Sequence, residues 1–224
     1  MESYWEQIGP ELRKAAVEYL PKGEIVAPRQ RVAMVFGVRA FRRSLALEQL
    51  FASGLCSESY PVVRADYEDW LTVAYLLRLP GADRCDEYFE DVYKLDARMY
   101  DAFVSLSGQA AADKYFGPVD PDAEAHVGLP RGQTRPFGGM TWANIALDVG
   151  LKSVHDFAYT WLSAQSHGSF KNMLDLFDPT IGKVRVPERD LSFEVKVGIW
   201  AAWFEARIHA LGAREFWVDG ECLA

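Results

Sequence analysis

The sequence predicts an all-α fold: one helical-bundle domain of about seven helices spanning residues 1–224, with one long Gly/Pro-rich loop. Three observations carry this. Apolar residues recur at steps of three and four almost throughout, with no succession of alternating segments. Prolines and glycines fall between these periodic stretches. Half of the residues are hydrophobic and a quarter charged, a globular composition that can bury a large core.

The elements follow in order. "GPELRKAAVEYLP" places Pro10 in a first turn and Pro21 at a stop, predicting a helix over about residues 10–20. A long helix is expected from Pro28 to Leu55, ending near Gly54. "SESYPVVRADYEDWLTVAYLLRLPG" accepts Pro61 in its first turn and stops before Pro80 and Gly81. Asp83 to about Tyr115 is helical in pattern with a break near Gly108. Gly117–Gly139 then holds five glycines and four prolines, a long loop of the kind that is either functional or a plain surface wrap. Helices resume at Thr141, a suitable N-cap, and again over Ser153–Gly168. A short extended piece is expected around Lys183–Val186, before a last helix from Leu191 that ends at Leu211-Gly212.

Charge and cysteine usage narrow the function classes. The net charge is −8, and residues 44–128 hold six basic against sixteen acidic residues. Generic nucleic-acid binding by phosphate neutralisation is therefore disfavoured, while local RNA contact stays open. A patch of Arg29, Arg31, Arg39, Arg42 and Arg43 has the simpler reading of a solvated helix face. Cys56, Cys85 and Cys222 are odd in number and widely spaced, which suggests reduced thiols. No membrane span and no secretory signal are expected, so the sequence reads as cytoplasmic.

Candidate site residues come from two helices. On the third helix Arg64 and Glu68 stand four apart and border the apolar face, with Leu71 and Tyr75 within about 20° of Arg64. A charged pair there needs further polar partners. In "DFAYTWLSAQSHGSF", Tyr159, Ser163 and His167 lie about 40°, 80° and 120° round from His155, on the polar arc. They supply donors and acceptors that Arg64 and Glu68 would need, so the two helices are expected to face one another.

The runs "GLCSESYPVVRADYEDWLTVAYLL" and "TWANIALDVGLKSVHDFAYTWLSAQSHGSF" carry an R-x-x-x-E and a Y-x-x-x-S-x-x-x-H pattern. Over residues 35–175 the chain resembles a family of bacterial helical proteins described as a domain of unknown function. The resemblance implies a helical fold with a polar centre at Arg64, Glu68, Tyr159, Ser163 and His167, and implies no activity. A more distant likeness is to helical RNase modules of prokaryotic toxins and phage-defence systems. Their Arg-then-His mark has different spacing from Arg207 and His209 here.

Two function classes stand at this level. In the first the chain is an effector or enzyme acting on RNA or a phosphate-bearing ligand, with His167 as general base and Arg64 holding the anion. Residues Gly117–Gly139 would be its lid, with Arg131 or Arg135 at the mouth. In the second it is a non-catalytic interaction protein whose polar centre is a structural hydrogen-bond network. A serine hydrolase lacks its G-x-S-x-G turn, and no phosphate-binding glycine loop is present. No E-x-x-H occurs, so no metal or other cofactor is expected, and Glu205 with His209 reads as an exposed i, i+4 pair. Trp200, Trp203 and Phe204 read as core, and seven tryptophans keep an association surface, including a homodimer, in view.

Overall fold

The structure, a computed structural model, describes residues 4–19, 27–78, 83–117, 124, 125, 127, 140–166, 177–178, 183–184, 191–218 and 221–222. It is all-α. The described helices are α1 (Tyr4–Tyr19), α2 (Pro28–Ala52), α3 (Tyr60–Arg78), α4 (Asp83–Ser107), α5 (Gln109–Phe116), α6 (Trp142–Asp148), α7 (Lys152–Ser166) and α8 (Leu191–Phe216). A single 3-10 turn, Cys56–Ser59, leads into α3. Two antiparallel hairpins of two-residue strands complete the described elements: β1 (Phe177–Asp178) with β2 (Lys183–Val184), and β3 (Trp217–Val218) with β4 (Glu221–Cys222). The expected extended piece at Lys183 is thus a strand.

The packing divides into two compact units. One comprises Met1–Leu79 and Ile145–Ala224, the other Pro80–Asn144. In the first, α8 packs on α1, α2 and α3, and α3 also packs on α2 and α7. Tyr67, Trp70, Phe36, Phe204 and Leu162 are among its fully buried side chains. Aromatic edges join them: Trp70 meets Trp203 at 4.8 Å between centroids, and Tyr67 meets Phe204 at 5.3 Å. In the second unit α5 folds back on α4. Phe103 stacks on Tyr115 at 5.1 Å, and Tyr100 donates to Asp113 at 2.5 Å.

Local chemistry explains most boundaries. After α2, Gly54 takes φ 72°, a left-handed conformation that suits glycine, and Leu55 N–H reaches back to Leu50 O at 2.8 Å to close the last turn. Gly108 at φ 85° separates α4 from α5 where the sequence indicates a break. Thr141 caps α6 through its hydroxyl, which accepts from Asn144 N–H at 3.3 Å.

Two boundaries differ from expectation. The first helix begins at Tyr4, so Pro10 lies inside it rather than in its first turn. Packing of α1 on α2 and α8 outweighs the one backbone bond that the proline removes. The last helix runs on past Gly212 to Phe216. A helical glycine costs only ~1 kcal/mol, and the final turn is anchored: Glu215 takes two bonds from Arg29, each at 2.9 Å, and its carbonyl accepts from Gln30 at 3.2 Å.

Candidate functional site

The polar residues on α3 and α7 meet. Arg64 Nε donates to Glu68 at 3.0 Å, and its Nη2 donates to the Tyr159 hydroxyl at 3.2 Å. The same guanidinium lies over the Tyr159 ring, 5.1 Å from its centroid. One layer deeper, the Tyr67 hydroxyl and His155 Nδ1 are 2.7 Å apart, and His155 stacks on Tyr159 at 4.8 Å. Burial, with the Glu68 and Asp156 carboxylates nearby, raises the Tyr67 pKa and keeps its phenol protonated. Burial lowers the His155 pKa and favours the neutral ring. Those two states match a phenol donating to Nδ1 with the imidazole proton on Nε2.

Of the five sequence candidates, Arg64, Glu68 and Tyr159 therefore form one connected group. Ser163 is half-buried on α7. His167 lies outside the described residues, as do Arg131 and Arg135 and most of the loop expected as a lid. His155, which the sequence offers only as a member of α7, is 6 % exposed and links the group to the core.

A second polar layer, buried where α1, α2, α3 and α8 come together, was not expected. Asp66 and Asp69 on α3 share Arg43 of α2, at 3.0 Å and 2.6 Å, and Arg39 reaches Asp69 at 3.0 Å. Glu205 of α8 is fully buried, and neither of its carboxyl oxygens meets a hydrogen-bond donor at normal geometry; Asp66 Oδ2 is likewise unpartnered. The Ser44 hydroxyl lies close enough to Glu205 to favour its charged form. Ser44 itself accepts from Arg13 Nη1 at 3.2 Å, and Arg13 pairs with Glu48 at 3.0 Å.

Burial dominates the titration of this layer. It pushes the Asp66 pKa up to about 8 against the opposing pull of Arg43, and it holds Glu205 well above the carboxylate range, with Asp66 adding repulsion. Both shifts favour the protonated, neutral form of each carboxyl. His209, a turn further along α8, is lowered by burial to about 4.

Two sequence readings are corrected here. Glu205 and His209 are not an exposed pair: they are 0 % and 7 % exposed. On α8 Glu205 shares its face with Ala201, Ala202 and Ile208, all buried, while the exposed positions of the helix lie on another side. Nor do the arginines of α2 form a uniform solvated face. Arg43 turns inward onto two aspartates, and Arg29 clamps Glu215 and the Leu76 and Leu77 carbonyls, while Arg31, Arg39 and Arg42 stay exposed.

On the outer side of α7 and α8 apolar groups reach solvent. Phe157 is 61 % exposed, Ile199 47 % and Val195 37 %. Phe157 contacts half-buried Trp200 at 5.7 Å, which joins the two helices at that point. Phe157 faces outward although Ala158 and Leu162 on the same helix are buried. Trp200 and Trp203 are half-buried and Phe204 is core. Among the described residues no group of three or more His, Cys, Asp or Glu side chains could hold a metal ion, and no helix is long and apolar enough to cross a membrane.

Comparison of the chain with family models, with curated proteins and with solved structures gives no match.

Proposed function

We propose that this chain is a non-catalytic interaction protein: the Arg64 network holds α3 against α7, and the exposed apolar surface of α7 and α8 receives a protein partner. The carrying observation is the exposure of Phe157 on α7 and of Val195 and Ile199 on α8, with Phe157 set against Trp200. Apolar side chains grouped on adjacent helices are a common mark of association surfaces. The network supports the same reading, because Arg64, Tyr159, Tyr67 and His155 spend hydrogen bonds on partners inside the protein. A second copy is the first partner to test. Sedimentation of the native chain and of Phe157→Glu across a concentration series should show association in the native chain only. A native chain that stays monomeric and captures no partner through this face overturns the proposal.

A second reading keeps the chain as an effector or enzyme acting on RNA or a phosphate-bearing ligand through Arg64, Glu68, Tyr159, Ser163 and His167. The Arg64 side chain is 20 % exposed, so the guanidinium borders solvent while it pairs with Glu68. An incoming phosphate would replace Glu68 on the guanidinium. The two readings part at Glu68→Gln, which lowers stability without creating phosphate affinity in the first, and strengthens phosphate binding in the second.

A further inference from the structure

The C-terminal ends of α3 and α8 carry a concentration of positive charge that neither reading uses. Arg78 ends α3, and Arg207 and Arg214 stand seven residues apart on α8, nearly two full turns and hence one face. All three are exposed. The Arg29 clamp ties the end of α3 to the end of α8 beside Arg78 and Arg214. Its guanidinium bonds the carbonyl of Leu77, the residue before Arg78, and the carboxylate of Glu215, the residue after Arg214. Glu215 is therefore already engaged by Arg29, and among the described residues no carboxylate pairs with Arg78, Arg207 or Arg214. Arg207 is held over the Trp203 ring at 5.4 Å, which limits its freedom.

We propose that Arg78, Arg207 and Arg214 form a binding site for a phosphate-bearing anion, one that spans the ends of α3 and α8 and is separate from the Arg64 network. Three guanidiniums close together without counter-charges repel one another, and an anion with several phosphoryl oxygens relieves that repulsion with charge-assisted hydrogen bonds. Partial burial of Arg78 and the charges of Arg207 and Arg214 all lower its pKa, the direction expected for a cation lacking an anionic partner. Arginine suits this role because its planar fork matches phosphate oxygens, where lysine offers a point charge. Position helps as well. Net charge −8 repels anions at long range, so a local cluster selects ligands that bring several negative groups to one place. The ligand is either a free polyphosphate or nucleotide, or the backbone of a single-stranded nucleic acid.

The test is calorimetric titration of the full chain with inorganic tripolyphosphate and, separately, with an oligouridylate, at two salt concentrations. The native chain should bind at least one, more weakly at higher salt. Arg78→Gln/Arg207→Gln/Arg214→Gln should weaken binding by about tenfold or more. Arg42→Gln, which removes an exposed arginine elsewhere, should bind as the native chain does. Binding of tripolyphosphate alone assigns a free polyphosphate or nucleotide, and binding of the oligonucleotide alone assigns a nucleic-acid backbone. Failure of the native chain to bind either, or unchanged binding by the triple variant, overturns the proposal. Single substitutions at Arg214 and Arg207 give the same reading if the triple variant does not fold. Tighter binding on Glu68→Gln with the triple variant unaffected would place the anion at Arg64 instead.

Discussion

The two polar layers of the larger unit differ in how their charges are settled. Between α3 and α7, the charges of Arg64 and Glu68 meet at the margin, where water screens what the protein leaves unpaired. Among α1, α2, α3 and α8, three carboxyl groups are buried and Arg43 is the guanidinium that holds two of them. The first layer can lose a member and relax. The second cannot, because a buried charge without a partner has no solvent to turn to. Strength of pairing is thus a poor guide to which layer the fold depends on, and access to water is a better one.

Removing Arg43 tests this most severely. Arg43→Met should cost about 3–5 kcal/mol in urea unfolding, because Asp66 and Asp69 lose the guanidinium that both use. A loss under ~1 kcal/mol would erase the contrast between the layers.

The pH dependence comes next. Asp66 and Glu205 are carboxyls raised above their unfolded values, so the native state holds a proton that the unfolded chain releases. The Asp66 contribution is full below about pH 4 and is lost as pH rises through about 8, and Glu205 acts in the same direction. His209, depressed to about 4, acts in the opposite sense and loses stability as pH falls below its ordinary 6.5. From pH 6.5 to 8 the raised carboxyls act without it, at a slope near 1.4 kcal/mol per pH unit for each proton that the native state retains. Glu205→Gln should flatten that slope and leave the chain more stable than the native protein at the alkaline end. An unchanged slope would mean that Glu205 holds no proton in the native state.

Smaller effects belong to the first layer. Tyr67→Phe leaves His155 Nδ1 without its partner in a buried place and should cost about 1–2 kcal/mol by thermal unfolding. Tyr159→Phe keeps the ring under Arg64 and removes one half-exposed hydrogen bond, so a cost below ~1 kcal/mol is expected. If Tyr159→Phe proved the more damaging, the layer would be organised from its surface inward and not from the Tyr67–His155 bond.

The sequence made the first layer legible because each helix states its own face. Arg64 and Glu68 sit at the border of an apolar arc, and Tyr159 lies where a partner is required. Helix extents near Gly54, Gly108 and Thr141 were readable for the same local reason. The second layer was hidden because its bonds join distant segments: nothing near Arg43 points to Asp66, and nothing near Ser44 points to Glu205. One signal was present. In "GIWAAWFEARIHAL" the glutamate has Ala201, Ala202 and Ile208 at i−4, i−3 and i+3, so its own side of the helix is apolar. The outward turn of Phe157 has no such warning, since a helical pattern marks an apolar arc without naming its neighbour.

The aromatic cluster around Trp70 has a practical consequence. Trp70, Trp200 and Trp203 lie within one group of touching rings, whereas residues 80–144 contain a single tryptophan, Trp142. Intrinsic fluorescence is therefore a reporter weighted to one unit, while far-ultraviolet circular dichroism sees the helices of both. Overlaid melting curves from the two signals would coincide if the units unfold as one cooperative body, and would separate if α4 and α5 melt on their own.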